Sequence, residues 1–176
     1  MSVFIAISLD GFIAKTNGDI AWLDDGESLP EGEDCGYKAL YDSVDGLIMG
    51  RNTMEKVLGF DIPWPYDGKP VFVLSKSLKV VPEKLVGKIQ LYSNINDLMS
   101  AIDKAGFKKL YVDGGKTIQT FINKSLITDL TITTIPILLG DGLPLFGKIP
   151  HDIKLNHLET VTYPNGFVKS SYEICL

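Results

Sequence analysis

Leu110-Tyr111-Val112-Asp113-Gly114-Gly115-Lys116-Thr117-Ile118-Gln119-Thr120-Phe121-Ile122 carries the decisive pattern of this chain. Its first three residues form a short apolar run suited to a buried strand. Asp113 ends the run, and two adjacent glycines follow. Ile118, Phe121 and Ile122 then recur at the spacing of one helix face. The order is strand, Gly-Gly, helix. Paired glycines permit backbone conformations and close approach that a side chain forbids. The free N–H groups of the helix start favour an anion, and a phosphate-bearing ligand fits them. The alternative is a tight strand-to-helix turn with no ligand, because the full glycine fingerprint of a dinucleotide-binding Rossmann fold is absent.

The same alternation extends outward from this turn. Val3 to Leu9 reads as a strand, and a loop-rich stretch from Asp10 to Pro30 follows, with Ile20, Trp22 and Leu23 as apolar anchors. A connection this long is functional or mobile. Tyr37, Leu40, Tyr41 and Val44 mark a helix from Glu33 to Ser43, and Gly46 to Gly50 a strand. Asn52 or Thr53 caps a helix that ends at Gly59. Pro63-Trp64-Pro65 breaks the chain as an exposed crossover with anchoring aromatics. Val71 to Leu74 and Ile89 to Tyr92 are strands, and Leu98, Ile102 and Ala105 lie on a helix. Downstream, Asp129 to Leu139 forms a long strand with Thr131, Thr133 and Ile135 on one face. Leu155 to Tyr163 and Phe167 to Ile174, joined by Pro164-Asn165-Gly166, form a hairpin. The pattern predicts one α/β domain over residues 1–176: a mostly parallel central sheet flanked by helices, with a C-terminal antiparallel hairpin.

Composition narrows the function classes. The chain has 176 residues, 45% hydrophobic and 22% charged, as in a globular protein with one substantial core. A net charge of -5 argues against a general nucleic-acid-binding surface. The two cysteines, Cys35 and Cys175, form neither a metal spacing nor a disulfide framework, so no metal is expected and a reducing, cytoplasmic compartment is. The N-terminus lacks the basic region of a signal peptide, and no apolar run reaches the ~18 residues that suggest a membrane span. The two histidines, His151 and His157, fall late and read as surface residues, which leaves no Ser-His-Asp site.

Three predicted strand ends carry groups suited to a ligand: Gly50-Arg51-Asn52-Thr53, Leu74-Ser75-Lys76 and Gly114-Gly115-Lys116-Thr117. In open α/β sheets ligands lie beyond the carboxyl ends of the strands. Arg51 can clamp a phosphate bidentately and Lys76 can meet it as a point charge, while Thr53, Ser75 and Thr117 add hydroxyls. Otherwise Arg51 and Lys76 are solvated surface residues and Thr53 a cap.

These segments carry a resemblance. Ile48-Met49-Gly50-Arg51-Asn52-Thr53 resembles the M-G-R-x-T segment of dihydrofolate reductase, Val73-Leu74-Ser75-Lys76 its V-L-S-R strand end, and Tyr111-Val112-Asp113-Gly114-Gly115 its V-x-G-G turn. Ser8-Leu9-Asp10-Gly11-Phe12-Ile13-Ala14 is similar to the S-L-D-G-x-I-A opening of the reductase domain of riboflavin biosynthesis, the C-terminal type of RibD. The segments come in family order and span most of the chain. The resemblance implies a dihydrofolate-reductase-like three-layer fold, NADPH as cofactor and a cis peptide between Gly114 and Gly115. It also implies which residues meet NADPH. Gly50, Arg51, Asn52 and Thr53 would cover phosphates, and Leu74, Ser75 and Lys76 the adenosine with its 2′-phosphate. Gly114, Gly115, Lys116, Thr117 and Ile118 would hold the pyrophosphate, and Ala6, Ile13 and Gly18 would face the nicotinamide. The riboflavin-type relatives imply a homodimer.

On the substrate side, Asp34 falls where a common bacterial dihydrofolate reductase carries its acid, and Thr133 matches the threonine bonded to that acid. Such a carboxylate can bind an amidine-like ring and assist proton delivery; an Asp at this place is equally explained as a helix cap. Asp10 joins them as a catalytic candidate, with Trp22 and Phe12 as substrate contacts. Phe12 stands where the riboflavin enzyme has a basic residue. The expected activity is an NADPH-dependent reductase acting on a flat, pterin-like ring or on a ribosylamino-pyrimidine; a riboflavin-pathway uracil reductase, acting on the ribosyl group, is the alternative within this class. A non-catalytic NADP-binding regulatory protein is the alternative outside it.

Overall fold

The computed structural model describes residues 1–23 and 29–175. Its framework is an eight-stranded sheet built from β1 (Ser2–Ser8), β3 (Gly46–Gly50), β4 (Val71–Leu74), β5 (Ile89–Tyr92), β6 (Leu110–Asp113), β7 (Asp129–Ile135), β9 (Leu155–Thr162) and β10 (Val168–Ile174). The spatial order is β5-β4-β3-β6-β1-β7-β10-β9. Neighbours from β5 to β7 are parallel, and β10 runs antiparallel to both β7 and β9. The predicted α/β architecture with its C-terminal hairpin is the one observed.

The helices α1 (Tyr37–Ser43), α2 (Arg51–Leu58), α3 (Ile95–Ala105) and α4 (Gly115–Ile122) cover both faces. Strand alternation sorts side chains between two apolar layers. Val3, Ile48, Val112, Leu130 and Ile132 pack with Leu98 and Ile102 of α3 and Ile118 and Phe121 of α4. Leu47, Met49, Val73 and Tyr111 pack with Met54 and Val57 of α2, with Tyr37 and Tyr41 of α1 against them. Thr133 and Ile135 lie on the face opposite Leu130 and Ile132, as their spacing predicts; Ile135 joins Trp22, Cys35 and Phe167 in a third cluster.

Several element ends differ from the sequence reading. Helix α1 starts at Tyr37 rather than Glu33, because Cys35 (φ 56) and Gly36 (φ 89) are left-handed and cannot continue a right-handed helix. Strand β7 stops at Ile135 rather than Leu139. Pro136 has no N–H for a ladder, and the Ile137 amide turns back to the Ile135 carbonyl at 2.8 Å. The segment read as loop from Asp10 holds a short strand, β2 (Phe12–Ala14), paired with β8 (Leu143–Pro144), and a single 3-10 turn at Ala21–Leu23. At the sheet edge, Ser171 faces Glu159 and Tyr172 faces His157, so Leu158 of β9 is an extra, bulged residue. A bulge of this kind protects an edge strand from pairing with other chains. Among the described residues no helix is long and apolar enough to cross a membrane.

Candidate active site

The sheet opens where β1 and β6 part. β6 is in register with β1 only at Ser2↔Tyr111 and Val3↔Val112. β1 continues to Ser8 along β7, with Ala6 opposite Thr133. From Phe4 onward, the β6-side edge of β1 has no strand partner, and Phe4 to Ile7 are half-buried. The hydroxyl of Tyr111 donates to the Phe4 carbonyl at 3.0 Å, satisfying the first acceptor released by the parting strands. Unpaired strand backbone beside a cleft is a ready set of donors and acceptors for a planar ligand.

The ends of β3, β4 and β6 lie level beside this cleft. Met49 is opposite Asp113, and Gly50 is opposite Leu74. The three predicted ligand segments therefore meet at one edge of the sheet. Two eight-residue helices begin there, α2 after Gly50 and α4 after Gly114, and neither has a side-chain cap. Their starts touch. A Cβ on Gly114 would lie 2.2 Å from Thr53 Oγ1, and one on Gly50 would lie 2.8 Å from Thr117 Oγ1. The Ile118 amide already bonds to the Gly114 carbonyl at 2.9 Å. The amides of Gly115, Lys116 and Thr117, like those of Arg51, Asn52 and Thr53, precede the first helical bonds. Two uncapped N-termini converging on one spot make a cradle for a doubly charged group such as a pyrophosphate.

The remaining candidates divide by what their side chains do. Ile13 reaches the α4 start, where its Cδ1 lies 2.8 Å from the place of a Gly115 Cβ. Arg51, Asn52, Lys76 and Lys116 are exposed, and Leu74 and Ser75 are half-buried at the strand end. Arg51 lies back along its own helix, 3.8 Å from Glu55. Ser75 Oγ accepts from the Leu78 amide at 3.0 Å. Thr117 and Ile118 are buried, so only their backbone could serve a ligand. Gly18 sits in a turn closed by its amide to the Lys15 carbonyl at 2.8 Å. Phe12 packs on Gly142 within β2 and β8.

Several expectations require correction. The Gly114–Gly115 peptide is trans. Gly114 makes the turn by its own torsions, φ 89 and ψ 128, a region open to glycine. Asp34 is exposed, and its oxygens accept from the Gly36 and Lys38 amides, both at 2.8 Å. These bonds hold its carboxyl below the usual range, led by the Lys38 amide. Asp34 thus satisfies amides at the start of α1 from two residues before its N-cap, Gly36, and among the described residues no hydrogen bond joins it to Thr133. Thr133 is 5% exposed, and its Oγ1 has no partner among the described residues. Trp22 is 1% exposed, packed against Cys35, Ile135 and Phe167, which makes it an anchor rather than a pocket wall. Asp10 ties two loops together: it accepts from Ser8 Oγ at 2.6 Å and from the Gly140 amide at 2.7 Å. The Ser8 hydroxyl is the main cause of its lowered pKa.

Asp113 is the functional candidate that sequence reading passed over. In the sequence it marks only the end of a strand. Two residues beyond Tyr111 on the same face, it lies at the parting of β1 and β6. Burial pushes its carboxyl up, against the opposing pull of the Gly114 amide, which donates to Oδ1 at 2.7 Å, and of the Tyr111 hydroxyl. The other described carboxyls with a resolved shift, Asp10, Asp19, Asp34 and Asp45, all move downward. The available signal was Asp113's place directly before the glycines.

Comparison with known proteins agrees with this geometry. The model of the RibD C-terminal domain family matches residues 1–169. The uncharacterised protein YwjB of Bacillus subtilis is 34% identical over 154 residues, covering 87% of this chain and 86% of its own length. A crystal structure from Shewanella sp. PV-4, of a protein provisionally assigned to riboflavin biosynthesis, superposes with a TM-score of 0.93 at 41% identity, over 99% of this chain and 98% of that one. The dihydrofolate reductase of Enterococcus faecalis, complexed with NADP(H), shares the fold with a TM-score of 0.68 at 17% identity, over 98% of this chain and 95% of that one. The chain belongs to the RibD C-terminal domain family and has a dihydrofolate-reductase-like fold.

Proposed function

We propose that this protein is an NADPH-dependent reductase of a small, flat nitrogen heterocycle, with a ribosylamino-pyrimidine as the first substrate class and a pterin as the second. The observation that carries the reading is the junction at which β1 and β6 part. There, two uncapped helix starts adjoin an open strand edge and a carboxyl whose pKa is raised. The close packing of Gly50 on Thr117 and of Gly114 on Thr53 leaves the helix amides bare, and this fits a dinucleotide pyrophosphate. Arg51 and Lys76, exposed at neighbouring strand ends, suit the additional phosphate of NADPH. The Shewanella relative's assignment to riboflavin biosynthesis favours the pyrimidine over the pterin.

NADPH, when bound, supplies the hydride. The protein supplies position and a proton. The free edge of β1 from Phe4 to Ile7 would align the plane of the substrate's heterocycle, and Ile13 would close over the α4 start. Asp113, protonated, would donate to the substrate atom beside the one that receives hydride, and water would reload it after product leaves. Asp34 has no part in this scheme, and Asp10 acts by holding its loops. A cytoplasmic location suits the two free cysteines, and a homodimer belongs to the same proposal; a monomeric mass by light scattering at low concentration counts against it.

The direct test is NADPH oxidation, followed by absorbance, against a panel of the ribosylamino-pyrimidine of riboflavin synthesis, dihydropterins and dihydrofolate. Turnover of the pyrimidine, abolished in Asp113→Asn, is the expected outcome. NADPH binding without oxidation of any panel member supports a regulatory NADP-binding protein instead. No binding of NADPH by fluorescence or thermal shift ends both readings.

A further inference from the structure

A cluster of phenols gathers around Tyr111, the neighbour of Asp113 on β6. Tyr111 stands beside it on its own strand, with its hydroxyl on the Phe4 carbonyl. Tyr37 of α1 meets Tyr111 edge-on, ring centroids 6.2 Å apart, and leans on Phe4 at 5.9 Å. Tyr66, from the segment before β4, lies in the same apolar layer as Tyr111, with Tyr37 packed against that layer. Behind them Tyr41 stacks against both, at 6.2 Å from Tyr37 and 6.4 Å from Tyr66. Trp64 seals the outside with an edge contact to Tyr66 at 5.2 Å. Tyr66 and Tyr111 are buried, and Tyr37 is half-buried.

Four tyrosines from three separate segments are more than a core needs, since each phenol must be desolvated or paired. Leucine or phenylalanine would fill the same space. The arrangement has a chemical consequence. The phenol of Tyr37 is pushed up to about 12, and those of Tyr66 and Tyr111 are pushed up as well; burial is the main cause, and the Asp113 carboxyl contributes to all three. At neutral pH the three phenols are uncharged, which leaves Asp113 as the group beside them able to exchange a proton.

We propose that Tyr37 and Tyr66 are positioning residues for Asp113: their rings fill the space behind its carboxyl, keep water from that side, and leave its proton to depart toward the cleft. This rests on the reading of Asp113 as the proton donor and adds how the fold maintains it. The Gly114 amide from the start of α4 bonds to the carboxyl, and the titratable groups within reach of its charge are Tyr111 from its own strand, Tyr37 from α1 and Tyr66 from the segment before β4. Rings, rather than hydroxyls, do the excluding. Replacing a ring with a methyl admits water, which stabilises the ionised form; replacing tyrosine with phenylalanine does not.

The test follows the titration of the Asp113 carboxyl carbon by NMR in the free protein, together with the pH profile of kcat. The wild-type carboxyl should titrate above an ordinary Asp, with activity falling at high pH as it ionises. Tyr37→Ala and Tyr66→Ala should each move both midpoints down by about one unit, and Tyr37→Phe and Tyr66→Phe should restore them. Alanine variants that lose rate or thermal stability with both midpoints unmoved would overturn the proposal, leaving the tyrosines a merely structural role. If the alanine variants do not fold, the wild-type titration decides alone: an ordinary Asp midpoint refutes the phenol shell, and a raised one supports it. An Asp113→Asn variant with full activity refutes the donor reading itself, an outcome separate from any change in the midpoints.

Discussion

Gly114→Ala tests the junction on which the proposed cofactor cradle depends. Two costs arise at this position. The torsions φ 89 and ψ 128 lie where residues with a side chain are strained, at about 1–3 kcal/mol. The new methyl would also lie 2.2 Å from Thr53 Oγ1 and 3.4 Å from its Cβ. Thr53 is branched and held at the start of α2, so relief requires the two helix starts to separate; overpacking of this kind costs about 1–3 kcal/mol. The mid-range sum is about 4 kcal/mol, which for a chain of this size lowers Tm by roughly 8–16 °C. Gly11→Ala is the control. Its φ of 87 is similar, but nothing lies within 4 Å of the added Cβ, so strain alone applies, about 1–2 kcal/mol. Adding Thr53→Ala to Gly114→Ala should recover the packing part, about 2 kcal/mol. Thermal and urea unfolding of the ligand-free variants measures all three. A Gly114→Ala midpoint equal to that of Gly11→Ala, or no recovery with Thr53→Ala, would refute the contact between the helix starts.

Three further outcomes follow from the site. Asp34→Ala should lose about 1 kcal/mol of stability through its lost bonds to the α1 start while kcat stays unchanged; a large fall in kcat would return Asp34 to the chemistry. Asp113→Asn should be more stable than wild type at pH 7. Its folded pKa is raised above 3.8, so the folded state resists ionisation and loses stability as pH rises through that window. The advantage should vanish below about pH 3, where Asp113 is protonated folded or unfolded, and melting curves across pH that show no such convergence count against a buried carboxyl. Arg51→Ala combined with Lys76→Ala should weaken NADPH binding by at least about tenfold, from the loss of charged hydrogen bonds worth about 1.5–3 kcal/mol each. Fluorescence titration at low and high salt measures this, and unchanged affinity removes both residues from the phosphate site.

Local sequence pattern determined most of the framework. Strands such as Gly46–Gly50 and Val71–Leu74 are short apolar runs bounded by polar or breaking residues, and their burial follows from hydrophobicity alone. The strand–Gly-Gly–helix order likewise placed an anion-attracting helix start after β6, because the free amides of a helix N-terminus are a property of local backbone. The sequence also marked three ligand-bearing strand ends, and parallel register brought them level at Gly50, Leu74 and Asp113. What it could not assign were the roles that depend on neighbours distant in the chain. Whether Asp34 faced a pocket or bonded to the Lys38 amide was decided by the left-handed turn at Cys35 and Gly36. The pairing of β2 with β8 joins residues too far apart for periodicity to register. Trp22 became an anchor because Ile135 at the end of β7 and Phe167 just before β10, both distant in the chain, close around it. Asp113 gained its raised proton affinity from burial at the end of β6, and desolvation is set by the folded surroundings of a group rather than by its identity. The sequence determined the elements and the charge each strand end offers; tertiary packing decided which carboxyl is desolvated and which stay exposed on backbone amides.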